Sequence, residues 1–486
     1  AARLTQEGAP DLHDHGYHTK DHASPGSTLL VTKSCTLDRL SVRADEDSVV
    51  SDAGLLVAAT LAQRLDLAGL LREHVTVPGS VGAHPDRKCL TVVHSLLAGG
   101  DCIDDVNALR AGSTSAVLGH RVAAPSTVGT FLRAFGFGHA RQLDVVTRRL
   151  LTRAVTAGAH PQFGRSVTVD IDSTLCETFG LAKDGAREVM RTGRRGYHPL
   201  LAVISGTGDI AHARLRRGRS NDATAAPLFI NETISRLRQA GATGQIVLRA
   251  DSGFYLHDVV AACRAADVRF SIGARMIGHL RGQIEAIPDE QWQPIEYFLP
   301  GAGVAEIPYT PFAQDTHGRD RTDTVPLRLM VRRTPPTQAQ VRNRGQDTDQ
   351  AALFPVYDYH PIITDRDGDL RDLEADHRRH AEVELTIRDL KHGMGLAHLP
   401  TKSFGGNAAW LILNTIAHNL TRWITRLGFD QGHRMTKNIR RRVFNLAGRL
   451  VRTGRRTTLR LPSRWPWAHA IITAIKRLRD LPAATG

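Results

Sequence analysis

The sequence predicts an α/β protein, and three observations support this fold class. Apolar residues with helical spacing fill the chain from about residue 51 to 160. From about residue 161, short stretches of alternating apolar and polar residues are interleaved with helical stretches. A strongly basic segment, 431–486, ends the sequence. This order predicts an α/β core with helical regions before and after it.

The totals favour a globular protein. A length of 486 residues and a hydrophobic content of 41% are ample for a packed core of several domains. No stretch approaches the roughly 18 to 20 apolar residues that a membrane helix needs. The five cysteines lie far apart without a C-x-x-C pair, which argues against a disulfide framework and against a thiolate zinc site. We therefore expect a soluble, intracellular protein that does not span a membrane.

The N-terminal part divides into two regions. Residues 1–50 are rich in His, Asp, Gly and Ser and lack periodicity, so we expect a poorly ordered lead-in. Residues 51–160 predict a helical N-terminal domain, with stretches such as GLLVAATLAQRLDLAGLL and PSTVGTFLRAF. Short helices joined by glycine turns are compatible with a helix-turn-helix that binds a DNA end, and also with an ordinary small bundle.

The core is predicted in two parts with an insertion between them. Residues 161–276 alternate between strands and helices, including the strands SVTVDIDST and QIVLRADSGF. Residues 277–371 contain short strand-like pieces separated by Pro, Gly and Asp, which predicts an antiparallel β-rich insertion with a flexible loop at QAQVRNRGQDTDQ. Helical periodicity returns over 372–430 and completes the core.

The positive charge lies in one place. From Arg434 to Arg479 there are fourteen Lys and Arg and no Asp or Glu, which equals the net charge of +14 of the whole chain. Uncompensated cations repel one another unless a polyanion neutralises them, so we expect a basic helical C-terminal region, 431–486, that contacts DNA. A merely solvated basic face is the alternative. The candidate DNA contacts are Arg440, Arg441, Arg442, Arg455 and Arg456 here, and Arg216, Arg217 and Arg219 after an earlier strand.

Acidic residues recur at three positions that could converge. Asp170 and Asp172 share one face of a predicted strand, where a lone carboxylate is costly unless it is paired or holds a metal ion. Asp251 directly follows the strand IVLRA, at the kind of strand end where ligand sites collect in α/β sheets. It could instead cap the next helix.

A third acid lies on a predicted helix. His377, His380, Glu384 and Lys391 are three, four and seven residues apart, which predicts one shared helix face. Such a face is often only solvated. With Asp172 and Asp251, however, Glu384 would complete a set of carboxylates able to hold divalent cations for in-line attack on phosphorus. An all-oxygen site favours Mg²⁺, with Mn²⁺ as a substitute.

The three stretches resemble a DDE transposase of bacterial insertion sequences, in the insertion-sequence-thirteen-eighty family of the wider insertion-sequence-four group. The resemblance depends on DIDST, GYHPLLAVISGTGDIAHARLRRGRSND, LRADSGF and HRRHAEVELTIRDLKHGMGLAHLP, and extends from about residue 50 to 450. It implies a ribonuclease H-like catalytic core with a β-rich insertion between the second Asp and the Glu.

The resemblance also implies the site residues. The first acid of the family precedes a Ser/Thr-Thr step, which selects Asp172 and leaves Asp170 as a neighbour that could support the metal. Asp251 and Glu384 would be the other catalytic metal ligands, and Lys391 would contact the DNA backbone. The group's signature Tyr-x2-Arg-x3-Glu-x6-Lys has His377 and His380 at its first two positions here. Both histidines could still donate to a DNA phosphate, but they lose their charge near neutral pH.

The resemblance implies DNA transposition as the function. The chain would bind the terminal inverted repeats of its own element, cut the DNA and join the 3′-hydroxyl to target DNA, as a homodimer on DNA in the bacterial cytoplasm. Related enzymes flip a base onto an aromatic residue of the insertion, for which Trp292 is the candidate here, although core packing is an ordinary role for such a residue.

Three alternatives stay open. The chain could be a ribonuclease H-like nuclease without strand transfer, or a transposase-derived DNA-binding protein that no longer catalyses. His377, His380 and Glu384 could also form part of a zinc hydrolase site, but the sequence contains no H-E-x-x-H.

Overall fold

The computed structural model describes most of the chain, namely residues 37, 40–179, 181–189, 193–221, 224–295, 299–314, 319–336, 357–431 and 435–484. The chain divides into two units, 1–45 and 46–486, and the elements named below belong to the second. Residues 1–36, 38 and 39 of the predicted lead-in lie outside the described residues, whereas 40–50 are described and end in a short strand, Val49–Val50. The predicted loop QAQVRNRGQDTDQ lies outside the described residues.

Helices occur where the periodicity predicts them. The N-terminal set is α1 (Leu55–Arg64), α2 (Leu67–His74), α3 (Pro85–Ala98), α4 (Thr114–Leu118), α5 (Pro125–Arg133) and α6 (Phe137–Thr156). Three helices accompany the middle of the chain, α7 (Ala226–Gln239), α8 (His257–Ala265) and α9 (Gly278–Glu285). The last set is α10 (Leu370–Arg378), α11 (Glu382–Gly393), α12 (Phe404–Trp423), α13 (Thr436–Ile439) and α14 (Ala468–Asp480).

A nine-stranded mixed sheet forms the centre of the fold. Its strands are β2 (Ser166–Ser173), β6 (Leu200–Ile204), β7 (Asp209–Arg214), β8 (Gln245–Ala250), β9 (Arg269–Gly273), β10 (Gln293–Pro294), β11 (Gly303–Tyr309), β12 (Leu327–Thr334) and β13 (Asp358–Thr364). Their order is β10-β11-β12-β13-β9-β8-β2-β6-β7. The mixed α/β class predicted from the sequence is therefore confirmed.

Strand direction changes along the sheet. Strand β2 is parallel to β8, and β8 is parallel to β9. Strands β6 and β7 are antiparallel on one side of this trio, and β10 to β13 are antiparallel on the other. The antiparallel strands expected between Asp251 and Glu384 thus exist, but they extend the central sheet instead of forming a separate one.

Helix α12 is the buried axis of the molecule. Every residue from Gly406 to Trp423 is buried, so the helix is enclosed on all sides. It packs against α3, α6 and strand β7. As a result, the N-terminal helices and the sheet share one continuous hydrophobic core. The boundaries proposed for functional regions stay predictions.

The C-terminal region differs from the helical prediction. Strands β14 (Gly448–Thr453) and β15 (Arg456–Arg460) form a hairpin that pairs with β1 (Val49–Val50), and only α14 behind it is a long helix. The hairpin forms because Leu450 and Leu459 are cross-strand partners that both pack against the core, while Gly454 allows a two-residue turn.

A further small sheet consists of β3 (Cys176–Glu177), β4 (Arg187–Glu188) and β5 (Arg195–Tyr197).

Within the described ranges, none of the helices has the length and apolar character required to cross a lipid bilayer.

Asn419 of α12 ties the edge strand β7 to the core, which generates a prediction. Its side-chain oxygen accepts the Ile210 N–H at 2.8 Å, and its amide donates to the Ile210 carbonyl at 2.9 Å. Asn419→Ala leaves both backbone groups unpaired in a buried place and should lower the free energy of unfolding by about 2 kcal/mol. Urea unfolding measures the loss, with the exposed Asn438→Ala as control. Equal stability of the two variants would contradict this assignment.

Candidate active site

Asp172 and Asp251 end two neighbouring parallel strands. The register of β2 and β8 pairs Ile171 with Ala250, so each acid follows directly after a paired residue. Asp172 is partly exposed, and its carboxylate accepts the Ser173 N–H at 2.6 Å. Asp251 is exposed, and its Oδ1 accepts the Gly253 N–H at 3.0 Å. The structure therefore brings these two predicted acids to one edge of the sheet.

Helix α11, which carries Glu384, packs against β2. Before the helix, His380 Nδ1 donates to Asp170 Oδ1 at 2.9 Å. Near the end of the helix, the Lys391 charge acts on the Cys176 thiol, whose pKa burial nevertheless raises to about 12. Glu384 is exposed and lies in the first turn of α11, directly after the His380 contact with Asp170. Its convergence with Asp172 and Asp251 stays a prediction.

The carboxylates of Asp172, Asp251 and Glu384 are suitable ligands for a hard divalent cation, but their oxygens do not converge on one point in this structure. All three are carboxylates, the ligand type that Mg²⁺ and Mn²⁺ prefer. Among the described residues, the groups of three whose ligand atoms all lie within 4.8 Å of one another are Asp101 with Cys102 and Asp105, and Asp144 with His212 and Glu232. Asp172, Asp251 and Glu384 do not form such a group.

The two closed groups have other roles. Asp144 receives the buried guanidinium of Arg236 at 2.5 Å, and Glu232 receives Arg141 at 2.9 Å, so cationic side chains already neutralise that cluster. In the other group, Asp105 accepts the N–H groups of Asp101 and Cys102 at 2.8 and 3.0 Å. Both arrangements stabilise local structure.

Asp170 is engaged in a buried ion pair, which does not fit its predicted role as a metal support. It is the direct register partner of Arg249, and the two side chains form a bidentate pair at 2.8 and 2.9 Å. Both are almost wholly buried. Arg249 also donates to Ser205 Oγ at 2.6 Å and to Asp376 Oδ1 at 3.1 Å. Burial lowers the pKa of Arg249, but the hydrogen bond and charge of Asp170 outweigh it and the net shift is upward.

His377 and His380 face the sheet, and the expectation that they donate to DNA phosphates is corrected. His377 Nδ1 lies 2.8 Å from Ser271 Oγ, and Ser271 is the register partner of Arg249 on β9. His380 bonds to Asp170, as described above. The predicted single helix is also interrupted, since a 3₁₀ turn at Arg379–Ala381 separates α10 from α11. The two histidines therefore join the helices to the sheet.

Two residues near the acids were not found from the sequence. The sequence does contain a hint of the role of Arg249, because this residue lies two positions before Asp251, just as Asp170 lies two positions before Asp172. His198 gave no pattern; its Nδ1 donates to the Ser220 carbonyl at 2.6 Å, and its Nε2 accepts from Ser173 Oγ at 3.0 Å. Its ring therefore lies beside the residue that follows Asp172.

Two predicted DNA contacts are internal and are corrected. Arg216 is buried and donates to the backbone carbonyls of His198, Asn221 and Thr224. Arg440 donates to the carbonyls of Leu96, Leu97 and Gly393, which caps the ends of α3 and α11. Basic side chains near a helix C-terminus satisfy its last carbonyls. Both guanidinium groups are therefore engaged with backbone carbonyls of the chain itself.

The other predicted DNA contacts lie at the surface. Lys391 is partly exposed, and Arg442 is partly exposed with its guanidinium 5.3 Å from the centre of the Trp467 ring. Fully exposed positions are Arg217, Arg219, Arg441, Arg455 and Arg456. Their contact with DNA stays a prediction.

Trp292 packs in the core of the antiparallel strands. It is 8% exposed, and the Arg333 guanidinium stacks over its ring at 4.4 Å. Tyr359 lies 6.0 Å away, centre to centre. With one face covered by Arg333, the ring does not offer a free platform to a base, which favours the core-packing reading.

Comparison with known protein families identifies one that matches nearly the whole chain. The family described as transposase DDE domain group 1 matches residues 33–483. No curated protein matches the chain.

Among solved structures, the chain is similar to the piggyBac transposase seen by cryo-electron microscopy in a synaptic complex with hairpin DNA. The identity is 10% and the TM-score 0.44, and the match covers 81% of this chain and 79% of that chain.

The buried ion pair predicts a large loss of stability on neutralisation. Asp170→Asn removes the charge that balances the buried Arg249, and breaking a buried pair in this way costs about 3–5 kcal/mol. Urea unfolding of the variant should show this loss. The exposed Asp367→Asn, whose carboxylate is 96% exposed, serves as control and should change stability little. A loss no larger than that of the control would contradict the role given to Asp170.

The buried ring of His377 should make the folding stability of the chain depend on pH. Burial, together with the charges of His380 and Arg249, lowers the pKa of His377 from 6.5 to about 3. Below about pH 6.5 the unfolded chain therefore binds a proton that the folded chain refuses until about pH 3. The contribution of this ring to stability is fully present above that range and is lost as the pH falls through it.

His377→Gln should consequently reduce the slope of unfolding free energy against pH between about pH 6.5 and 4. Urea midpoints at several pH values measure the slope, and the exposed His279→Gln serves as control. An unchanged slope in His377→Gln would show that the ring accepts its proton in the folded state.

Proposed function

Because the chain belongs to the transposase DDE domain group 1 family, we propose that it is an insertion-sequence DNA transposase. It would bind the terminal inverted repeats of its own element and catalyse metal-dependent strand cleavage followed by strand transfer. The observation that carries this proposal is the register of β2 and β8, which sets Asp172 and Asp251 at adjacent strand ends with the Glu384 helix alongside.

The chemistry proposed for the site needs no protein nucleophile. Asp172, Asp251 and Glu384 would hold Mg²⁺, or Mn²⁺ as a substitute, and the ion supplies the Lewis acid that in-line displacement at phosphorus requires. The chain contributes position and charge. Arg249 and Asp170 hold the two strand ends level, and Lys391 offers its ammonium group to a nearby phosphate.

The finer classification belongs to the same proposal. The order β7-β6-β2-β8-β9, with β6 and β7 antiparallel and β8 and β9 parallel, supports a ribonuclease H-like core. The motifs around the acids support the insertion-sequence-thirteen-eighty family of the insertion-sequence-four group. The substrates would be double-stranded terminal repeats and target DNA in the bacterial cytoplasm, and pairing two ends would require at least a homodimer on DNA.

Two observations favour a second candidate. The three acids are not mutually within 4.8 Å, and His377 and His380 stand where the group has Tyr and Arg. A transposase-derived DNA-binding protein without catalysis would tolerate both features. A nuclease that cuts without strand transfer would use the same three acids and differ only in the second step.

The test is cleavage of a labelled duplex that carries the end of the element encoding this chain. Wild type should nick the end with Mg²⁺ and not with EDTA. Glu384→Gln should bind the duplex but lose cleavage by at least about a hundredfold, since removing one such electrostatic contribution costs about 10²–10³ in rate. Glu382→Gln is the matched control, because Glu382 lies in the same helix and instead pairs with Arg379 at 3.2 Å.

The outcomes separate the candidates. Nicking followed by joining to a second duplex supports the transposase, and nicking without joining supports the nuclease. Binding of the end without cutting, in either Mg²⁺ or Mn²⁺, would leave the DNA-binding protein. Equal loss in Glu382→Gln and Glu384→Gln would remove Glu384 from the proposed ligand set.

A further inference from the structure

The β14–β15 hairpin carries arginines on one face. Antiparallel partners project to the same side of a sheet, and the register pairs Arg449 with Arg460, Val451 with Thr458, and Thr453 with Arg456. We call these six residues the arginine face. All of them are exposed except Val451, which is partly exposed.

The opposite face of the hairpin is directed inward at its leucine pair, whereas its other pair, Arg452 with Thr457, is exposed. Leu450 and Leu459 are cross-strand partners, and both pack against the main hydrophobic core. Because successive residues of a strand alternate in direction, this contact fixes the arginine face toward the outside of the molecule. Strand β15 is also the edge of its three-stranded sheet.

The charge on the arginine face calls for an anionic partner. Arg449 and Arg460 stand directly opposite each other, and like charges in that position destabilise a sheet. Glu46 lies 3.3 Å from Arg449 and balances one of them in an exposed setting. No Asp or Glu occurs from Arg434 to Arg479 to balance the rest. A polyanion laid on this face would remove the repulsion.

The shape fits the groove of duplex DNA. A strand of six residues, as in β14, is roughly 20 Å long, and two paired strands lie about 5 Å apart. The major groove is about 12 Å wide and admits a two-stranded ribbon. The turn is narrow, since only Gly454 and Arg455 separate the paired Thr453 and Arg456, and Gly454 takes a φ of 58° that suits a tight hairpin.

We propose that the hairpin binds duplex DNA as a β-ribbon in the major groove, with Arg449, Arg456 and Arg460 on the phosphates that flank it. The proposal rests on the proposed function and adds to it the element and the groove by which the chain holds its DNA. The edge strand β15 could alternatively pair with a second copy of the chain. Backbone pairing of that kind gives the arginines no partner, so the charge favours DNA.

The first experiment compares salt dependence of binding to a mixed-sequence duplex. Each phosphate contact that is lost reduces the slope of log affinity against log salt by about 0.9, so the triple Arg→Gln variant at positions 449, 456 and 460 should lose about 2.7 from the slope. The matched control replaces the exposed Arg149, Arg264 and Arg371 by Gln and removes the same charge elsewhere. A triple Arg→Lys variant of the hairpin should keep the slope, which shows that the hairpin still folds.

The second experiment tests the groove. A duplex in which glucosylated hydroxymethylcytosine replaces cytosine has its major groove filled while its phosphates are unchanged. Wild type should bind this duplex at least about tenfold more weakly than the unmodified one, and the hairpin Gln variant should show no such difference. Equal wild-type affinity for the two duplexes would overturn the major-groove assignment.

Other outcomes are distinguishable. If the hairpin Gln variant keeps the wild-type slope, or loses no more than the control, the arginine face does not bind DNA. A simultaneous loss of self-association, measured by light scattering, would assign the face to a second copy. If wild type itself cuts its element end while the hairpin variant is unaffected, the proposed function stands and this inference fails. If wild type neither binds nor cuts DNA, both fail.

Discussion

The buried pair of Asp170 and Arg249 is the constraint on which the candidate site depends. The two residues are register partners on the parallel strands β2 and β8, and their bidentate contact leaves neither charge exposed. A slip of two residues would set Asp172 opposite Arg249 and leave Asp170 against Val247, with a carboxylate buried and unpaired. Because an unpaired buried charge is far costlier than a paired one, the ion pair selects the register in which Asp172 and Asp251 end level. The ion pair thus specifies the pairing register of β2 and β8, which apolar packing alone would specify less strictly.

The same polar layer joins the helices to the sheet. Asp376 at the end of α10 accepts from Arg249, and His380 in the following turn donates to Asp170. His377 contacts Ser271 one strand further along. These contacts fix the start of α11, the helix that carries Glu384. Three segments that are distant in sequence are thus held by one row of buried polar side chains, and the acids themselves stay accessible at its margin.

The sequence located most of the elements but not the side-chain partners. Period-two alternation located β2, and the strand end located Asp251, since both signals are local. The pairing of Asp170 with Arg249 follows from strand register, which local alternation does not give. Helical spacing placed His377 with Glu384 on one face, whereas the 3₁₀ turn at Arg379–Ala381 interrupts that face. Runs of arginine were equally ambiguous, because Arg440 caps buried helix ends while its neighbour Arg441 is exposed. The hairpin at 448–460 was missed because its apolar signal is little more than two leucines.

We propose that Asp172, Asp251 and Glu384 close around a divalent cation. Anomalous diffraction at the manganese edge, from crystals of the chain with duplex DNA and Mn²⁺, would locate this ion. We expect an anomalous peak within about 2.0–2.4 Å of oxygens from Asp172 and Asp251, with Glu384 completing the set. A peak at Asp144 and Glu232 instead, or density at the strand ends without an anomalous signal, would contradict it.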